Sequence, residues 1–359
     1  MNMNTQPIIF DGHNDLLTRL WLSAAGDPVH DFIHGTLPGH LDLQRCRQAG
    51  WMGGLFSIFL PPYAYVKNNH PEKLSSSSNL NSDSDSDSDF TPQQVIDICC
   101  TQLQLAQQLQ DRSEGLIQIC TTLAQIKACQ HNQQLAIVLH LEGAEALAIK
   151  PELLDVFYDA GLRSIGPLWN RKTIFGDGLN ASFPHSPDTG SGLTKQGKDL
   201  ILECHKKQML IDVSHMNERA FWDTLEIINQ PIVATHSNAH ALCPQARNLT
   251  DRQLAAIKDS GGLVGVNFDV AFLRSDGQRD TQTSLDVIVD HLAYLVDHLG
   301  EDQVGFGSDF DGCLLPDELA DVSDMDKLLE RMQQRHFSNE LIEKITAKNW
   351  FKVLDKIWQ

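Results

Sequence analysis

Residues 136–143 read AIVLHLEG, a short apolar run that ends by delivering His140, Glu142 and Gly143. Seven further short runs of this kind punctuate the chain: Ile8–Asp11, Leu55–Phe59, Ser164–Pro167, Leu210–Val213, Ile232–Thr235, Leu263–Asn267 and Val304–Gly307. Helix-like stretches follow most of them, as at Pro92–Gln110, Leu193–Lys207, Asn217–Ile228, Asp251–Asp259 and Ser284–Leu299. Strands alternating with helices indicate parallel strand–helix–strand units. Eight such units fit a closed ring better than an open sheet. The predicted fold is therefore α/β, a single (β/α)8 (TIM) barrel spanning residues 1–359. Ile117–Ile119 is a ninth apolar run, which leaves the count ambiguous by one.

One segment breaks the alternation. Residues 75–89, SSSSNLNSDSDSDSD, are low in complexity, acidic and without apolar content, and are expected to form a disordered surface insertion. The whole chain has 359 residues, 28 basic against 47 acidic, for a formal net charge of -19. Such a surface repels nucleic acid and anionic lipid, so neither is expected as a partner. The N-terminus carries no basic segment followed by an apolar run, and no stretch nears the roughly 20 apolar residues of a membrane span. The eight cysteines form no CxxC pair and fall in apolar segments, which suits reduced, buried thiols and a cytoplasmic location.

In a barrel of this type, functional side chains gather at the C-terminal ends of the strands. The first run leads into Asp11-Gly12-His13-Asn14-Asp15, where His13 and Asp15 share one face of an extended chain. An imidazole and a carboxylate on one face can grip one cation, although surface loops also carry this pattern. Glu142 follows a long apolar run, so it belongs at the rim and needs a partner, because an unpaired buried charge is costly. Its two oxygens can join two metals. His140 shares that face but reads better as a hydrogen-bonded core histidine. His215 and His236 each stand just past a later run, and Asp309 follows the last. Any one of these is commonplace; five ligand-type side chains at four strand ends, with Asp309 beside them, form a candidate centre. Imidazole plus carboxylate without thiolate suits zinc, with manganese, cobalt or iron as alternatives. Two such cations sharing a carboxylate acidify a bridging water, so that hydroxide exists near neutral pH. Asp309 could orient that hydroxide and pass its proton on.

The ordered segments DGHNDLL (11–17), HLEGAEAL (140–147), GLRSIGPLWN (161–170), DVSHMN (212–217), THSNAHAL (235–242), ARNLTD (246–251), GLVGVNF (262–268) and GSDFDG (307–312) resemble the membrane (renal-type) dipeptidase family of the amidohydrolase superfamily. The resemblance spans nearly the whole chain apart from the Ser/Asp insertion. It implies that His13 and Asp15 bind one zinc, that Glu142 bridges two, and that His215 and His236 bind the second. It also implies that Asp309 is the catalytic carboxylate and that Arg247 holds the carboxylate of a small dipeptide, a bidentate task that suits a planar guanidinium. Trp169 stands where the animal enzymes carry a substrate-contacting histidine, so Trp169 and Asn170 are expected at the substrate. The implied reaction is hydrolysis of dipeptides, with a C-terminal D-residue accepted. Pairing of two copies is common in the family and stays open here. Rival readings are hydrolysis of N-acyl amino acids or lactones, a metal-binding relative that no longer catalyses, and a scaffold acting through the Ser/Asp segment.

Overall fold

The computed structural model describes residues 7–24, 26–75 and 89–359. The expected insertion at 75–89 falls almost wholly outside the described residues. Among the described residues there are nine strands: β1 (Ile9–Asn14), β2 (Trp51–Phe59), β3 (Ile117–Ile119), β4 (Leu135–Glu142), β5 (Leu162–Gly166), β6 (Leu210–Ile211), β7 (Val233–Ala234), β8 (Leu263–Val266) and β9 (Val304–Phe306). Every ladder between them is parallel.

The strands form two arcs, β1-β2-β4-β5-β6 and β7-β8-β9. Single parallel bridges join them, Asp212 to Val233 on one side and Asn14 to Phe310 on the other. This closes a ring of eight strands. The ambiguous ninth run is β3, which pairs only with the first three residues of β4, Leu135, Ala136 and Ile137, and lies outside the ring.

At each seam a buried aspartate takes over from the regular ladder. Asp11 accepts hydrogen bonds from Ser308 N (2.8 Å) and Oγ (2.5 Å). Asp212 accepts from Thr235 N (2.9 Å) and Oγ1 (2.6 Å). Side-chain pairing therefore explains why β6 and β7 are two residues each, shorter than the runs Leu210–Val213 and Ile232–Thr235. In the other direction, β1 extends past Asp11 to Asn14, which places His13 within the strand.

The helices agree closely with their sequence pattern, because their caps are written in the chain. Thr91 and Thr250 each open a helix, Pro92–Arg112 and Asp251–Ser260, with a reciprocal capping box to Gln94 and Gln253. Gly261 closes the second in a left-handed conformation. Inside the ring, Phe10, Leu55, Val138, Leu210, Val233 and Leu263 pack with Trp350 of the last helix, Asn349–Ile357. Glycines make room for that indole: a Cβ on Gly12, Gly265 or Gly305 would approach it to 2.3, 3.1 or 2.5 Å. The lower barrel is thus filled by apolar side chains around that indole. Among the described residues, no helix is long and apolar enough to cross a membrane. All eight cysteines are free, six of them buried.

Candidate active site

A polar layer above this filling holds His140, Ser164 and Asp212, all buried. His140 Nδ1 bonds Ser164 Oγ at 2.8 Å, and its Nε2 faces Asp212 Oδ2 at 3.6 Å. Burial lowers the pKa of His140 to about 4, so it is a neutral supporting residue.

The next layer brings together the rim residues singled out above. Glu142 Oε2 faces His13 Nε2 at 3.4 Å, and Oε1 faces His215 Nε2 at 2.8 Å and His236 Nε2 at 3.4 Å. The carboxylate thus turns one oxygen to each of two imidazole sets. Asp15 Oδ1 lies 3.8 Å from His13 Nε2 and accepts a hydrogen bond from Ser57 Oγ. Ligand atoms of His13, Glu142 and His236 lie within 4.8 Å of one another, as do those of His13, Asp15 and Asp309. Cation-sized groupings therefore exist on both sides of His13.

The imidazole protons are assigned by their partners. His215 Nδ1 meets Asn170 Oδ1 at 3.1 Å, an acceptor, so Nδ1 carries the proton. His236 Nδ1 meets Thr235 Oγ1 at 2.8 Å, whose own proton goes to Asp212. Both Nε2 atoms then offer lone pairs, yet they stand 3.0 Å apart. Two facing lone pairs repel unless a cation lies with them. His13 adds two buried ring nitrogens with no hydrogen-bond partner among the described residues. These orphaned donors are what a cation site requires.

Electrostatics agree with that fit. Burial works against ionisation of Glu142, but the surrounding imidazoles, His13 foremost, outweigh it and hold the carboxylate well below its usual range. Burial and the charge of Glu142 push Asp15 up to about 7. Burial, opposed by His13 but reinforced by Asp15 and Glu142, holds Asp309 well above the ordinary carboxylate range. Three carboxylates crowded together, two of them raised in pKa, call for positive charge between them, which a cation would supply.

Asp309 sits in the left-handed region, at φ 62. Its amide donates to His13 O at 3.0 Å, and Oδ2 accepts from Asn267 Nδ2 at 2.9 Å. That bent backbone turns Oδ1 toward Gly312, where an added Cβ would lie 2.5 Å from it and 2.2 Å from Asp15 Oδ2. Sequence reasoning missed Asn267 and Ser57. Asn267 ended an apolar run and could have been flagged as a rim residue; Ser57, inside one, gave no comparable signal.

Arg247 is buried. Its Nη1 donates to Ser214 O and, at 3.4 Å, to Ser237 Oγ, while Nη2 reaches His236 O and His215 Nε2, both at 3.2 Å. Among the described residues its Nε has no partner, and none of its hydrogen bonds goes to a carboxylate. A buried guanidinium without a paired anion is prepared to receive one. Trp169, half-buried, lies 5.9 Å ring to ring from His215 and 4.9 Å from Phe59. Asn170, expected at the substrate, turns its Oδ1 to His215 Nδ1.

The comparisons with known proteins follow the same lines. A family model described as membrane dipeptidase (peptidase family M19) matches residues 2–359. The solved structure of dipeptidase AC, a metallopeptidase of family M19, superposes with a TM-score of 0.88 at 38% identity, covering 99% of each chain. A metallopeptidase from Rhodobacter sphaeroides, solved with a phosphinate mimic of the dipeptide L-Ala-D-Ala, gives 0.89 at 37% identity, covering 99% of this chain and 100% of that one. A protein from Acinetobacter calcoaceticus, described as an uncharacterized protein in the PQQ-III 3′ region, is 64% identical over 291 residues, 81% of this chain and 90% of that one. With a family model matched from end to end and solved family M19 structures superposing over nearly the whole chain, the chain belongs to the membrane dipeptidase family of metallopeptidases.

Proposed function

We propose that this chain hydrolyses the peptide bond of dipeptides with two divalent cations, zinc in first place and manganese, cobalt or iron as alternatives. The observation that carries the reading is Glu142, whose oxygens face His13 on one side and His215 with His236 on the other. His13 and Asp15 would hold one cation, His215 and His236 the other, and Glu142 both. When bound, such cations polarise the peptide carbonyl and acidify nearby water.

The chain's own residues do the rest. Asp309, raised in pKa and fixed by Asn267, takes a proton at its carboxylate from the attacking water and returns it to the leaving amine. Arg247 holds the substrate's terminal carboxylate, which favours dipeptides over longer chains. Trp169 closes one side of the site and limits access of water. The L-Ala-D-Ala mimic bound by the Rhodobacter sphaeroides relative supports acceptance of a D-residue at the C-terminal position. The eight free cysteines suit a reducing compartment, and we place the chain in the cytoplasm as a single catalytic domain.

The test is metal analysis of the purified chain, followed by a panel of dipeptides and N-acyl amino acids with and without chelator. Two equivalents of metal and chelator-sensitive turnover of dipeptides are expected. Turnover confined to N-acyl amino acids, or undiminished after complete metal removal, would overturn the reading.

A further inference from the structure

The segment after β5 carries Trp169, Asn170 and Arg171, and its third residue ties the other two to the rim. Arg171 Nη2 donates to Leu60 O, just past the end of β2, at 2.6 Å. Its Nε lies 3.3 Å from Glu145 Oε1, three residues past the end of β4. The Glu145 side chain is only 13% exposed, and burial raises its pKa while Arg171 opposes the rise. The guanidinium also lies over the Trp169 ring, 5.0 Å from its centroid. One side chain thus joins three successive strand ends of the ring.

The backbone of the segment is held as closely. Leu179 N donates to Trp169 O at 3.0 Å, and Gly178 bridges to Met216, the residue after His215. A Cβ on Gly178 would come within 2.3 Å of Trp169 O and 2.4 Å of Arg171 N. The segment is therefore clamped from both sides, and what it delivers is Asn170 Oδ1 on His215 Nδ1 and the Trp169 ring beside the same imidazole.

We propose that Arg171, anchored by Glu145, is a positioning residue that acts through Asn170 and Trp169 to fix the proton and orientation of His215. The inference rests on the reading of His215 as a cation ligand. It deepens that reading by assigning the partner of the ligand's second nitrogen, and what holds that partner, to a salt bridge at the rim. A guanidinium suits the task because its planar fork serves a carboxylate, a carbonyl and an aromatic face at once, which an ammonium does not.

The test uses the full chain, with zinc affinity measured by competition against a chromophoric chelator and steady-state kinetics beside it. Arg171→Met keeps the stem against the indole and removes the donors and the charge. The more weakly held zinc should lose about tenfold to a hundredfold in affinity, as for other partners of metal ligands. kcat should fall with KM little changed. In an Asn170→Ala background, Arg171→Met should add little, because both act on His215 through one path. Wild-type zinc affinity in Arg171→Met overturns the clamp, and so do fully additive losses in the double variant. Should Arg171→Met fail to fold by circular dichroism, Glu145→Gln decides: a smaller loss of affinity in the same direction is expected, and no loss overturns the proposal. A wild-type chain that takes up no zinc removes the reading of His215 itself, whereas a zinc-binding wild type with an indifferent Arg171 removes only the clamp.

Discussion

His215 and His236 meet nitrogen to nitrogen: their Nε2 atoms are 3.0 Å apart, while the ring protons are fixed on the far sides by Asn170 and Thr235. This contact is repulsive in the protein alone and favourable around a cation. Chelation should therefore abolish dipeptide hydrolysis and also lower the melting temperature. A ligand at a thousandfold excess over its Kd that binds only the folded state contributes about 4 kcal/mol. Calorimetry with and without chelator measures the difference; an unchanged midpoint would contradict the assigned site.

Asp309→Asn keeps the shape of the side chain and its neighbour Asn267 but cannot take up a proton. The variant is expected to retain its metal and lose turnover by about 10²–10⁴, the usual range for a general acid–base group. Metal analysis beside kcat separates the two effects, and a fully active variant would falsify the role.

Arg247→Ala removes a buried guanidinium that has no paired carboxylate. Loss of charge-assisted hydrogen bonds to the substrate should cost about 1.5–3 kcal/mol. The loss should appear mainly in KM for dipeptides, with Arg247→Lys recovering only part of it. Equal KM values in all three proteins would rule out the carboxylate contact.

Gly312→Ala tests the space between Asp15 and Asp309. Its Cβ would meet their oxygens at 2.2 and 2.5 Å, so both carboxylates must move. Loss of metal and of activity together is expected, with overall secondary structure unchanged by circular dichroism.

His291 gives a pH dependence away from the centre. Its Nδ1 accepts from Ala239 N at 3.1 Å, and its Nε2 donates to Leu273 O at 3.0 Å. Burial lowers its pKa from 6.5 to about 4. The neutral form is native, so its contribution is present above pH 6.5 and is lost as pH falls toward 4. The contribution amounts to about 3 kcal/mol at 1.36 kcal/mol per pKa unit. Urea melts at pH 7 and 4.5 should show His291→Gln losing less stability over that interval than the wild type; parallel losses would show that another group titrates.

The ring was legible because apolar runs and capped helices alternate at a spacing that few other folds share. The ends of the strands were less so. At Asp11 and Asp212 the ladder gives way to side-chain bonds, and period-two patterning cannot show that. The five ligand-type residues and Asp309 stood out as polar residues where apolar runs stop. Ser57 did not, because its partner Asp15 is 42 positions away. The bond from His215 to Asn170 was not legible either, because the two residues are 45 positions apart.

The two seams of the ring acquire a mechanical meaning once cations are bound. His13, Asp15, Glu142 and His215 belong to the larger arc, while His236 and Asp309 belong to the smaller one. Ions held by both groups would rivet the halves across the joints where the backbone ladder is thinnest. Amide exchange at Val213, Asp309 and Asp15 should then quicken on demetallation well before the strands within either half begin to exchange.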